Sequence, residues 1–229
     1  MKLLPPAFFR RDTAAVARDL LGCRLVRRRP DGREKRVVIV ETEAYLGVGD
    51  RAAHTWNGRK TSRVLPMWGP GGHAYVYFVY GMHHCLNVVT KEEGEPEAVL
   101  LRAGVPEECW RFEGEREGRI VWTRDRSPKM KIASGPAKLC AYLGITTALS
   151  GASLSGPDLR LFSPSKETLS LGLPVLAGPR VGVAYAGAAA RWPLRFAVAG
   201  CPAVTHPAAL RPDGSGGRAP LKPGRGARR

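Results

Sequence analysis

Two short stretches of this 229-residue chain carry side chains suited to chemistry: Val38-Ile39-Val40-Glu41-Thr42-Glu43-Ala44-Tyr45 and Tyr75-Val76-Tyr77-Phe78-Val79-Tyr80-Gly81-Met82. The first sets two carboxylates in a β-branched run. Residues two apart on a strand share a face, so Glu41 and Glu43 would lie about 7 Å apart on one side. A carboxylate pair so placed suits cleavage of a glycosidic bond, one group moving a proton and the other activating water or attacking. Ion pairing in an arginine-rich chain explains such residues equally simply. Glu41, inside the run, is read as structural pairing; Glu43, where the strand gives way to a long loop, is read as functional.

The second stretch holds three of the six tyrosines within six positions. Tyr75 and Tyr77 share one strand face, while Tyr80 falls on the other, just before Gly81 and a turn. Packing into an aromatic core is the preferred reading for Tyr75 and Phe78. For Tyr77 and Tyr80 that reading is balanced against one in which they stack on unpaired bases or wedge between stacked ones. Tyr45, two positions after Glu43, joins the same face if the strand continues. Carboxylate, aromatics and basic loop together are what an enzyme acting on an extruded nucleotide requires.

These residues must be held by the elements around them. Asp12 followed by Thr13 to Leu21 and Gly22 predicts a capped helix, with Asp12 accepting from early amides and Gly22 past its end. Arg24 to Arg28 and Val37 to Val40 read as strands joined through Pro30-Asp31-Gly32. From Leu46 to Gly72 periodicity gives way to Gly, Pro, Asn, Arg and Lys, the composition of a functional loop. Strands are expected at His73 to Tyr80, Leu86 to Thr90, Ala98 to Ala103, Leu159 to Phe162, Val181 to Tyr185 and Leu194 to Ala199. Glu107 to Gly118 is locally acidic and reads as an exposed excursion. Ser134 to Gly144 predicts a short helix with Pro near its start and Gly at its end, its first turn a candidate phosphate seat. The fold class expected is α+β: one mixed domain, residues 1–206, around a curved antiparallel sheet with flanking helices. A basic Pro/Gly/Arg-rich tail, 207–229, is expected to be disordered.

A formal charge of +16 points to a polyanionic partner, because clustered Lys and Arg release counterions on meeting phosphates. Residues 207–229 hold six Lys or Arg and one Asp, which still leaves +11 on the rest. No apolar run is long enough to cross a membrane, and Pro5-Pro6 interrupts any signal-peptide core, so an intracellular protein without membrane association is expected. Five scattered cysteines, an odd number, argue against a disulfide framework and a Cys-based zinc site. His83 and His84 are neighbours that would point to opposite faces, and no metal is expected.

The motifs Glu41-Thr42-Glu43-Ala44-Tyr45-Leu46-Gly47, Ala52-Ala53-His54, Tyr75-Val76-Tyr77 with Tyr80-Gly81-Met82, Asn87, and Leu100-Leu101-Arg102-Ala103 together resemble the alkyladenine (3-methyladenine) DNA glycosylase family. Ser134-Gly135-Pro136-Ala137-Lys138-Leu139-Cys140, Arg180-Val181-Gly182, Tyr185-Ala186-Gly187 and Arg191-Trp192-Pro193-Leu194-Arg195-Phe196 extend the resemblance over about residues 5 to 200 in one order, far more specific than any motif alone. It implies that Glu43 is the general base deprotonating the attacking water. Tyr45, His54 and Tyr77 would sandwich the base, with His54 also a hydrogen-bonding partner, and Tyr80 would enter the minor groove. Asn87 would crowd the 2-amino group of guanine, and Arg102 would lie near the flipped nucleotide's phosphate. Lys60, Lys138 and Arg59 are read as phosphate contacts or solvated surface charges.

The resemblance also implies no metal or organic cofactor. The partner would be double-stranded DNA containing damaged purines, of the 3-methyladenine, 7-methylguanine and hypoxanthine class, bound by a monomer in the cytoplasm or nucleoid if the source is bacterial. The sequence departs from the family where Ala188-Ala189-Ala190 replaces an expected Glu and Trp, and in Trp56-Asn57-Gly58 and Leu65-Pro66-Met67-Trp68. Two other readings stay open: a non-catalytic nucleic-acid-binding module, and a carbohydrate hydrolase using Glu41 and Glu43.

Overall fold

The longest strand, β2 (Glu34–Tyr45), continues the predicted β-branched run in both directions and carries both glutamates near its C-terminal end. In the computed structural model, which describes residues 2–110, 112–116, 119–122, 131–170 and 172–213, β2 lies at the centre of a nine-stranded sheet. The other strands of that sheet are β1 (Arg24–Arg28), β3 (Ala74–Val79), β4 (His83–Thr90), β5 (Glu97–Pro106), β8 (Leu159–Phe162), β9 (Val175–Gly178), β10 (Arg195–Val198) and β11 (Arg211–Pro212). Their order is β11-β9-β10-β2-β5-β4-β3, with β1 pairing β2 and β8 beyond it, and every pairing is antiparallel. A separate hairpin joins β6 (Phe112–Arg116) to β7 (Arg119–Trp122). This is the α+β domain expected.

The helices are short: α1 (Pro6–Phe9), α2 (Thr13–Asp19), α3 (Pro136–Leu143) and α4 (Lys166–Ser170). Asp12 caps α2 by accepting from the Ala15 amide at 3.0 Å. Val16, Ala17 and Leu20 are sealed in the main core with Leu139, Cys140 and Leu143 of α3. Thr42 donates to the Ala17 carbonyl at 2.8 Å, so α2 covers the sheet face opposite the one on which Glu41 and Glu43 lie.

The β2–β5 ladder is irregular where the glutamates lie. Ile39 pairs with Gly104, Glu41 with Ala103 and Thr42 with Leu101, which leaves Val40 unmatched on β2 and Arg102 unmatched on β5. Two bulges of opposite sense restore the register by Thr42, and the second re-aims Arg102 toward the glutamates.

Three expectations are corrected and one strand was not foreseen. Val181 to Tyr185 is not a strand: the Val181 amide donates to Glu43 instead of to a ladder, Gly182 takes a left-handed φ of +75°, and a 3₁₀ turn follows over Ala184–Arg191. Strand β9, between β10 and the short edge strand β11, has its run bounded by Pro174 and Pro179 and went unpredicted. Phe78 is not core but 45% exposed, on the edge strand β3 opposite His84, with the two rings 4.9 Å apart. The ordered chain also continues past His206, since β11 pairs with β9 and Asp213 takes a 2.6 Å hydrogen bond from Arg18; residues 214–229 lie outside the described residues. Glu107, at the start of the acidic segment, is tied to Arg24 and lies 3.6 Å from Arg36, while most of Glu107 to Gly118 has side chains outside the described residues.

Candidate active site

One cross-strand row forms the base of the site. Tyr75 pairs with Asn87, Asn87 with Leu100, Leu100 with Glu43, and Glu43 with Arg195, across β3, β4, β5, β2 and β10. Directly opposed residues on neighbouring strands present side chains to the same face. Beside this row opens a cavity of about 370 Å³. Its walls come from Tyr45, Tyr75, Tyr77, Cys85, Asn87, Leu100 and Arg102 of the sheet, Ala52, His54, Arg63 and Met67 of the long loop, Pro136, and the segment Val181-Gly182-Val183 with Tyr185. Tyr80 stands at its edge, 85% exposed.

Glu43 sits behind that wall with no exposed surface. Oε1 accepts from the Val181 amide at 2.8 Å and lies 3.3 Å from Arg102 Nη1; Oε2 accepts from the Tyr45 hydroxyl at 2.8 Å. Burial pushes the carboxyl above its ordinary value, and Arg102, the Val181 amide and the Tyr45 hydroxyl pull it back. The Tyr45 hydroxyl stays protonated, raised well above 10 by burial and by the adjacent carboxylate. Oε2, which accepts from the Tyr45 hydroxyl, retains further acceptor capacity.

Glu41 is different. Its Oε1 accepts from Arg102 Nε and Arg195 Nη1, each at 3.1 Å, and its Oε2 from the Thr205 amide at 2.8 Å. Enclosed by these groups, it cannot serve as the second carboxylate of a sugar-cleaving pair. Arg102, buried between Glu41 and Glu43 and bonded also to Thr205 at 3.1 Å, acts as a clamp on both. Removing one partner from such a buried network costs on the order of 3–5 kcal/mol.

The aromatic residues meet as the spacing suggested, with additions. His54 stacks edge-on to Tyr77 at 4.6 Å, and its Nδ1 lies 2.9 Å from the Tyr75 hydroxyl. Burial, with Arg63 and Arg59 nearby, brings the imidazole down to about 4, so it is neutral at pH 7. Asn87 is buried, its Nδ2 donating to the Tyr75 carbonyl at 3.1 Å, which fixes it in the wall. Tyr75 is core, as expected, yet its hydroxyl reaches the site. Lys138 is exposed on α3 and does not line the cavity.

Sequence reasoning missed Arg63, Met67, Cys85 and the Val181–Val183 wall. Cys85 could have been found, lying two positions before Asn87 on the same strand face. The others sit in aperiodic segments. Two of these segments are locked together by the buried pair Arg180–Asp50: Asp50 also accepts from the amides of Leu46 and Ala52, and Arg180 donates to the carbonyls of Ala44 and Ala189. Of the alanines that depart from the family pattern, Ala189 is buried with Ala52, Val183 and Ala186, and Ala190 packs against that cluster. Among the described residues, no group of His, Cys, Asp or Glu could hold a metal ion, and no helix is long and apolar enough to cross a membrane.

A buried, anchored carboxylate behind an aromatic cavity, on a strongly basic chain with a protruding aromatic hairpin, fits the class of hydrolases that act on nucleic acid. Residues 7–202 match the methylpurine-DNA glycosylase family, and the chain belongs to it. It is similar to a protein of Desulfitobacterium hafniense (strain Y51), 42% identical over 197 residues, 86% of this chain and 95% of the relative. A protein of Bacillus thuringiensis (strain Al Hakam) is 42% identical over 203 residues, 88% and 98% of the two chains. Both are named as 3-methyladenine DNA glycosylases. The chain is a monofunctional DNA glycosylase of base-excision repair.

Proposed function

We propose that the chain binds damaged duplex DNA over the face bearing the cavity and the Tyr80 hairpin. It draws an alkylated or deaminated purine, of the 3-methyladenine, 7-methylguanine and hypoxanthine class, into the cavity and hydrolyses its N-glycosidic bond. The observation that carries this reading is Glu43, buried, three-point anchored, and set beside a cavity lined by Tyr45, His54 and Tyr77. Glu43 Oε2 takes a proton from water as the water oxygen bonds to C1′. The C1′–N bond breaks with its electron pair leaving on the base, and the products are free base and an abasic site.

Tyr45 has two roles, holding Glu43 through its hydroxyl and offering its ring to the base. Neutral His54 donates or accepts from one ring nitrogen while the other is engaged by Tyr75. Asn87, fixed by Tyr75, limits the space for an exocyclic 2-amino group. Tyr80 enters the duplex and fills the vacated position. Arg102 positions Glu43 rather than a phosphate, because its guanidinium is committed to carboxylates; Lys138 is left to contact phosphate from the outer face of α3.

Glu43→Gln should retain binding to lesion-containing duplex and lose excision by about 100-fold or more, the loss associated with a missing general base. The measurement is single-turnover release of hypoxanthine or 7-methylguanine, read by alkaline cleavage at the abasic product. Near wild-type excision by this variant would overturn the assignment.

A further inference from the structure

The arginines around the cavity differ in how they are compensated. Arg102 lies between Glu41 and Glu43, and Arg180 is paired with Asp50. Arg63 lines the cavity and, among the described residues, has no carboxylate within ion-pair distance. Its Nη2 donates to the Phe78 carbonyl at 3.2 Å, and its guanidinium lies 5.4 Å from the centroid of the Tyr77 ring. The Tyr45 ring likewise already has the Arg180 guanidinium 4.7 Å from its centroid.

Aromatic walls ordinarily favour a cationic base through its attraction to their π-faces. Here both Tyr45 and Tyr77 already face a cation, and the one at Tyr77 carries charge that no acid offsets. A positively charged alkylpurine entering the cavity meets like charge, which strengthens once bound DNA excludes water. A neutral purine such as hypoxanthine meets no such repulsion and presents a carbonyl acceptor to the guanidinium. We infer that Arg63 is a specificity-determining residue, a charge filter that favours neutral lesions over cationic alkylpurines in the base pocket. His54 lies in the same field: burial is the larger cause of its low proton affinity, and the charges of Arg63 and Arg59 lower it further.

This inference rests on the glycosylase reading of the cavity, and one experiment separates them. Single-turnover excision is measured on two duplexes of identical sequence, one with 7-methylguanine, which is cationic, and one with hypoxanthine, for wild type, Arg63→Gln and Arg63→Lys. Arg63→Gln is expected to raise the ratio of cationic to neutral excision by about fivefold or more, and Arg63→Lys to keep the wild-type ratio. A ratio unchanged in Arg63→Gln, with both rates falling together, would make Arg63 a DNA-backbone contact and overturn the inference alone. So would Arg63→Lys behaving like Arg63→Gln, which would credit the planar guanidinium rather than its charge. Excision of neither lesion by wild type would overturn the reading of the cavity and the filter with it.

Discussion

At the scale of single residues, the site turns on how a carboxylate is kept usable after being taken out of water. Glu43 must be ionised to take a proton, yet burial disfavours its charge, so the three groups around it decide the outcome. Tyr45 is the one of these that can be trimmed without touching the backbone or the Glu41 network. Loss of its hydroxyl in Tyr45→Phe removes a donor to the ionised form, which raises the Glu43 pKa. The activity that requires the carboxylate therefore fades sooner as pH falls, and the acid limb of the single-turnover profile should move to higher pH. The rate at pH 7 should drop by about tenfold, in line with one hydrogen bond to a charged group. An acid limb that stays in place would mean that Glu43 is not the titrating group. His54, already down near 4, should contribute no limb between pH 5 and 8.

At the scale of elements, the hairpin between β3 and β4 shows structure held against local preference. The Met82 amide donates to the Val79 carbonyl at 3.3 Å, closing a turn whose two central residues, Tyr80 and Gly81, have φ of +53° and +69°. Mirror-image turns of this kind match the twist of the flanking strands, but they suit Gly or Asn, and a tyrosine there costs about 1 kcal/mol or more. Tyr80→Gly should therefore unfold at the same or a higher denaturant concentration while its affinity for an abasic-site duplex falls by about tenfold. Retained affinity would remove Tyr80 as the wedge. Much of this arrangement was legible beforehand: period-two spacing placed Tyr75, Tyr77 and Tyr80, and the end of a β-branched run singled out Glu43. What escaped prediction had a common cause. The Val181 amide, Gly182 and the bulged Arg102 take their conformations from partners distant in sequence, whereas β9 is masked by the prolines around it. Local pattern carries no record of a carboxylate reaching across from another strand.

At the scale of the whole molecule, charge divides between a compensated interior and an exterior that carries the positive excess. Glu41, Glu43 and Asp50 neutralise Arg102, Arg195 and Arg180 inside the fold, so the excess of +16 is carried by the remaining residues. Residues 214–229 hold five Lys or Arg and no acid, so ending the chain after Asp213 lowers the formal charge to +11 while keeping β11 and the Arg18–Asp213 bond. Affinity for undamaged duplex should fall steeply and linearly on a log–log plot against salt, and the shortened chain should give a shallower slope with unchanged stability. Equal slopes would exclude these residues from the DNA contact; a flat dependence in the full chain would contradict phosphate-dominated binding.

The opposed bulges at Val40 and Arg102 also govern which changes of length the chain can inherit. Each shifts the ladder by one residue and each cancels the other, so loss of either alone would turn the following stretch of β2 over. Glu43 and Tyr45 would then face α2 and the main core, while Thr42 and Ala44 faced the cavity. The two strands therefore keep a shared reading frame: single-residue deletions at these positions are tolerable only as a pair.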